Sequence, residues 1–291
     1  YLEKALEIRQ QSLPSSHLDL AYSYGNIGQV HRNMCNYPKA LSHYEKALEI
    51  KQKSLPLNHP GLASSYNNIG NMHKTMGDYP TALSSHEKAL EICQQSLPSN
   101  HPDFAISYNN IGNVHFNMGN YSKALPYLEK ALEIWQQSLP SSHLHLAYSY
   151  GNIGQVHRNM GNYPNALSSH EKVLEILQES LRPNHPPLSS HEKALEILQE
   201  SLRPNHPHLA YSYGHIGSVY NHMGNYPKAL SSHEKALEIW QQLLPPNHPN
   251  LVASYNSIGE VHRSMGNYPK ALPSLEKAFE IQQQSLSSQS S

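Results

Sequence analysis

One seven-residue block recurs through the chain at a nearly fixed interval: residues 2–8 (LEKALEI), 44–50, 86–92, 128–134, 170–176, 191–197, 233–239 and 275–281. Successive copies start 42 residues apart, except for a single interval of 21 between the copies at 170 and 191. A second block precedes most copies: 21–28 (AYSYGNIG), 63–70, 105–112, 147–154, 210–217 and 252–259. A length of 291 residues would ordinarily suggest about two domains. The internal period overrules that expectation. Each repeat is too short to bury its own apolar face and must bury it against its neighbours, which makes a quasi-linear array.

Within a repeat the apolar spacing is helical. Ala63, Tyr66, Ile69, Gly70 and His73 fall on one stripe of a helix with 3.6 residues per turn. Gly77 suits the left-handed position that closes such a helix. Asp78 can cap the next helix, and Pro80 falls in its first turn, where a missing N–H is harmless. Ala82, Leu83, His86, Ala89, Leu90 and Ile92 give a second stripe. Residues 96–102 (SLPSNHP) end it, and Pro102 opens the following repeat at an N1-like position. No segment alternates with a period of two over a useful length, so no strands are expected.

The spacing Tyr66-x-x-Ile69-Gly70-x-x-His73, then Ala82-x-x-x-His86-x-x-Ala89, resembles the tetratricopeptide repeat. That family's pattern is aromatic-x-x-Leu-Gly-x-x-Tyr, then Ala-x-x-x-Phe-x-x-Ala. Here His replaces the usual Tyr at His31, His73, His115, His157 and His262, and His, Tyr or Leu replaces Phe. A 42-residue repeat with Asn-Asn on its first helix, Lys-Ala-Leu-Glu-Ile on its second and an Asn-His-Pro junction resembles the kinesin light chain subgroup. The resemblance implies an all-α fold, a right-handed superhelical solenoid of antiparallel helix pairs. It also implies a non-enzymatic adaptor, a protein- or peptide-binding scaffold whose first helices line a concave groove. It covers the repeats alone. No heptad coiled coil of the kind that joins that family to a motor accompanies them, so motor association rests on resemblance only.

Four repeats are expected over 21–188 and two over 210–284, with 1–20 as the orphan second helix of a truncated repeat, so the chain reads as a fragment. Residues 285–291 read as a disordered Ser-rich tail. The interval of 21 is a tandem duplication: 168–188 and 189–209 differ only at Val173/Ala194 and Pro187/His208. A capping box at 189–192 should start an extra second-type helix there, and the Arg-Pro-Asn-His-Pro stretch forbids one continuous helix through both copies. Two second-type helices in succession would change the path of the array locally. Pro126 and Pro273 lie inside second-type helices, which should start late or bend. Cys35 stands where the other repeats carry Gly, at a position that favours positive φ.

The 21 histidines invite a metal hypothesis. They recur one repeat apart rather than converging, with no H-E-x-x-H and no Cys/His cluster of zinc spacing, so no metal and no cofactor are expected. The His31-type residues are instead expected to be buried and neutral. Gly-Asn-Ile-Gly lacks the Lys-Ser/Thr of a phosphate loop, and no nucleophile elbow is present. Glu45 and Glu49 recur beside Lys46 as a solvated face. No enzymatic constellation emerges. Lys+Arg 21 against Asp+Glu 22 gives a net charge of −1, which argues against nucleic acid and against reading RNA by helical repeats. No run approaches the ~18 apolar residues of a membrane span. Cys35 and Cys93 make no disulfide framework, which fits a reducing, cytoplasmic setting.

The face of the first helices is the candidate site. It carries Asn26, Gln29 and Arg32; Asn67, Asn68, Asn71 and Lys74; Asn109, Asn110 and Asn113; Asn152, Gln155 and Arg158; and Asn256 with Arg263. Amides both donate and accept, so such a ladder can clamp an extended peptide backbone. One cation per repeat in four of the six would pair with acidic residues of a protein or peptide ligand. The alternative is a regulatory or structural array of a larger signalling protein, its groove filled by a segment of its own chain.

Overall fold

A computed structural model describes residues 1–98, 101–180 and 206–287. The chain forms two bodies, residues 1–139 and 140–291. The first holds α1 (Leu2–Ser12), α2 (Leu18–Asn33), α3 (Tyr37–Ser54), α4 (Pro60–Thr75), α5 (Tyr79–Ser96), α6 (Pro102–Asn117) and α7 (Tyr121–Ser138). The second holds α8 (Leu144–Asn159), α9 (Tyr163–Ser180), α10 (Pro207–His222), α11 (Tyr226–Leu243), α12 (Pro249–Ser264) and α13 (Tyr268–Ser287). The described residues contain no strand. Within each body every helix packs on the next, most extensively within a repeat.

The helix ends follow from local chemistry. In α4 the Gly77 N–H reaches the Lys74 carbonyl at 3.1 Å and the Asp78 N–H reaches that of His73 at 2.9 Å. This is a Schellman closure, and it needs the positive φ of 84° that Gly77 adopts. Cys35 holds the same conformation at φ 58° without glycine's freedom. Asp78 then caps α5, accepting from the Thr81 N–H at 3.3 Å. Each fully described first helix is capped by the junction histidine. His59 Nδ1 accepts from the Gly61 N–H at 3.0 Å, and His17, His101, His143, His206 and His248 do the same two residues on.

The core is built where a bare backbone meets a large side chain. A Cβ on Gly70 would sit 2.7 Å from the His86 ring, and one on Gly112 2.7 Å from Leu128. Tyr44 on Gly28, His170 on Gly154 and His233 on Gly217 repeat the arrangement. Between repeats, the joints differ in chemistry at one slot. Arg9 Nη1 donates to Ser23 Oγ at 2.6 Å and Lys51 Nζ to Ser65 Oγ at 2.9 Å, whereas buried Cys93, Trp135 and Trp240 occupy the same slot further on. Gln10, Gln52 and Gln241 donate to Tyr24, Tyr66 and Tyr255 of the next first helix at 2.8–3.0 Å.

The structure bears on several of these expectations. The His31-type residues are only half-buried; the buried histidines are His86, His170 and His233 of the second helices. The glycine opposite each second-helix ring supplies the space, while the first-helix rings lie nearer the repeat's edge. Helices α7 and α13 do not start late: they begin at Tyr121 and Tyr268 and run through Pro126 and Pro273. Helix α13 continues to Ser287, past the expected start of the tail, and 288–291 lie outside the described residues. The extra helix and its capping box at 189–192 also lie outside them; α9 packs on α10, as the other second helices pack on the next first helix within their own body.

Candidate peptide-binding face

Successive first helices touch one another, α4 on α6 and α10 on α12, more than successive second helices do. Within each body the first helices therefore lie on the inner side of the stack. Asn67 Nδ2 donates to Ser107 Oγ at 3.5 Å, Asn110 Nδ2 to Asn67 Oδ1 at 3.3 Å, and Asn250 Nδ2 to Tyr211 Oη at 3.2 Å, all between first helices.

The sequence-predicted residues divide into two groups on this face. Asn26, Arg32, Asn256 and Arg263 are exposed, and Gln29, Asn68, Asn71, Lys74, Asn113, Asn152, Gln155 and Arg158 are half-buried. Asn109 and Asn110 are instead buried. Asn67 is committed inward as well, since its Oδ1 takes both the Asn110 amide and the His86 ring N–H, the latter at 2.9 Å. The Asn67–Asn110 bond thus links successive repeats. Gln29 accepts from Tyr44 Oη at 3.2 Å and donates to Asn33 at 2.8 Å.

The cations are in unequal states. Arg263 is paired with Glu260 one turn earlier, at 2.7 Å. Burial pulls the Lys74 ammonium below the usual lysine range, and the neighbouring Arg32 charge lowers it further. The Arg32 charge on α2 is thus felt at Lys74 on α4, and neither belongs to an ion pair with a carboxylate among the described residues. Arg158 sits against His170 and His215 and disfavours their protonation.

Sequence reasoning overlooked Tyr22, Tyr148 and Tyr211. They are 60%, 56% and 49% exposed, one turn before Gly25, Gly151 and Gly214 and so on the same helix face. The i−3 spacing from the groove positions carried that signal. Lys51 Nζ lies 5.9 Å from the Tyr22 ring centre, and Tyr211 meets Trp240 edge-on at 4.9 Å.

Among the described residues no three His, Cys, Asp or Glu side chains come together as metal ligands, and no helix is long and apolar enough to cross a membrane. A tetratricopeptide repeat family model matches residues 1–53, 19–95, 61–137, 103–179 and 209–284. The chain belongs to the tetratricopeptide repeat family. The matches skip 180–208, where the duplicated half-repeat lies.

Solved structures share the fold. A protein of nearly identical TPR-like repeats of the kinesin light chain type, from Podosopora anserina, matches over 78% of this chain and 98% of its own, at 21% identity and a TM-score of 0.61. BtubC (BKLC) from P. vanneervenii matches over 86% and 90%, at 18% identity and a TM-score of 0.63. A Rap protein solved in complex with competence and sporulation factor matches over 97% and 80%, at 14% identity and a TM-score of 0.61. At such identities the likeness is one of fold. No curated protein sequence matches the chain.

Proposed function

We propose that this tetratricopeptide array is a non-enzymatic scaffold that binds an extended, acidic protein segment along the inner face of its first helices. The observation that carries the reading is the Arg32–Lys74 pair. Two cations that bear on each other, one of them partly desolvated, repel and lose hydration unless an anion joins them. A ligand carboxylate would relieve both penalties, and the amides of Asn68, Asn71 and Asn113 lie within the same set of helices to hold its backbone. The Rap protein complex shows that a solenoid of this fold can be solved with a factor bound. An adaptor role and association with a motor belong to this proposal through the kinesin light chain-like neighbours, not through a residue of this chain.

A display library of random peptides selected against the array tests it. Enriched peptides should carry Asp or Glu, and Arg32→Ala with Lys74→Ala should weaken them at least about tenfold, equivalent to about 1.4 kcal/mol. The quadruple variant Asn68→Ala, Asn71→Ala, Lys74→Ala and Asn113→Ala should abolish capture while the helical signal is kept. Peptides without acids, or binding indifferent to these changes, would refute the reading.

A further inference from the structure

Six of the seven methionines occupy one structural position. Met34, Met76, Met118, Met160, Met223 and Met265 are the C-cap residues of α2, α4, α6, α8, α10 and α12. Met34 is 68% exposed and the other five are 39–45% exposed. The seventh, Met72, is 1% exposed and packs with Ala40, Tyr44 and Ile69 between α3 and α4. Methionine is ordinarily among the most buried residue types. In this chain that distribution is inverted. Copying of the repeat explains the number of these methionines, but not why the copied unit carries its thioether in solvent.

The helix closure asks nothing of their side chains. The N–H of each C-cap methionine reaches the carbonyl four residues back at 3.0 Å. The left-handed residue that follows bonds to the carbonyl three residues back at 2.9–3.1 Å. All of these bonds are main-chain bonds, and none of the six methionines belongs to the buried core. What the side chain brings to this position is its sulfur. A thioether reached by solvent reacts with hydroperoxides: the sulfur lone pair attacks the outer oxygen, the O–O bond breaks and an S=O bond forms. The rest of the peroxide leaves as water or an alcohol, so sulfur is oxidised by the two electrons that reduce the peroxide. The sulfoxide is polar, which disrupts a core but suits a position in solvent.

We infer that the C-cap methionines are an oxidant-facing set, which takes up oxygen from hydroperoxides as sulfoxide, one atom per repeat, while the array stays folded. Met72 is spared, because peroxide reaches it only when α3 and α4 part. The exposed sulfoxides remain within reach of methionine sulfoxide reductases, which restore the thioether and release the oxygen as water at the expense of a dithiol. Together with such reductases the set is a renewable sink for hydroperoxides.

Hydrogen peroxide is added to the chain carrying Cys35→Gly, which removes the exposed thiol and installs the residue of the other repeats. The intact mass should climb in steps of about 16 Da and level off at one added oxygen per C-cap methionine. Peptide mapping should place the oxygens on those residues, with Met34 first. Met72 should react at least about tenfold more slowly than the slowest of them. The melting temperature should stay within a few degrees of the untreated protein. The two reductases, one for each sulfoxide epimer, should together return the starting mass. A second variant carries Met34→Gln, Met76→Gln, Met118→Gln, Met160→Gln, Met223→Gln and Met265→Gln, which put a polar side chain of similar length at every site. It should fold, melt near the parent and take up no oxygen before Met72 does. The inference fails if uptake stops short of the full set, if Met72 oxidises alongside it, or if the helical signal is lost as the set converts. It fails equally if the reductases leave the oxygen in place, or if the glutamine variant does not fold.

Discussion

At the residue scale the array depends on a contact that its heptapeptide and octapeptide blocks share. Gly70 gives the His86 ring the space that a Cβ would fill at 2.7 Å, so neither partner can grow. Gly70→Ala should destabilise the protein by about 1–3 kcal/mol through overpacking, read as a lower midpoint in urea with an unchanged slope. Adding His86→Ala should recover part of that loss, because the ring that clashes is gone. A Gly70→Ala protein as stable as its parent would show that α4 and α5 can spread at no cost. The pairing was legible in the sequence as a family spacing. Which histidines it buries was not, because His73 and His86 both fall on apolar stripes of their helices. The structure separates them by surroundings: His86 lies over bare backbone, whereas His73 sits 3.1 Å from the Asp78 carboxylate at the repeat's edge. The same limit applied to the groove. Asn67, Asn68, Asn109 and Asn110 look alike in sequence, and only the neighbouring helix decides that Asn67 and Asn110 bond to each other.

At the element scale, helix existence and boundaries were readable from caps, because Gly77, Asp78 and Pro102 each perform a local task that needs no tertiary information. That the proline-containing helices would not start late was not readable for the opposite reason. The first turn of α7 is already made before Pro126: the Lys123 and Ala124 N–H groups both reach the Asn120 carbonyl at 3.0 Å. Burial of Ala124, Leu128, Ala131 and Trp135 against the neighbouring helices then outweighs the proline's missing bond. Pro126 is exposed, and the other repeats carry Ser in that slot except at Pro273. Pro126→Ser should therefore stabilise the protein, by up to about 3 kcal/mol, without moving the start of α7. Unchanged thermal stability would mean that the helix already absorbs the proline without penalty.

At the scale of the molecule the period made the array legible from end to end, but the routing at its irregular point was not. Residues 168–180 and 189–201 are almost the same helix sequence, so either could satisfy the apolar stripe of Leu209, Ala210 and Ile216 on α10. Pattern alone cannot choose between such similar partners; among the described residues α9 packs on α10. Repetition also multiplies each buried histidine into a property of the whole chain. Burial lowers His86 and His233 to about 4 in the folded state, against about 6.5 unfolded. Their stabilising contribution is complete above the unfolded value. As pH falls through 6.5 the unfolded chain binds protons that the folded chain refuses, and stability drops until the folded sites titrate near 4. By pH 5 each such site removes about 2 kcal/mol. The melting temperature should therefore fall steadily from pH 7.5 to pH 5. His86→Leu with His233→Leu, placing in both slots the residue that Leu128 supplies over Gly112, should make that fall markedly shallower while leaving the pH 7.5 value within a few degrees of the parent. A parent whose melting temperature is flat over this range, or a double variant with the parent's slope, would show that these two rings do not carry the acid sensitivity of the array.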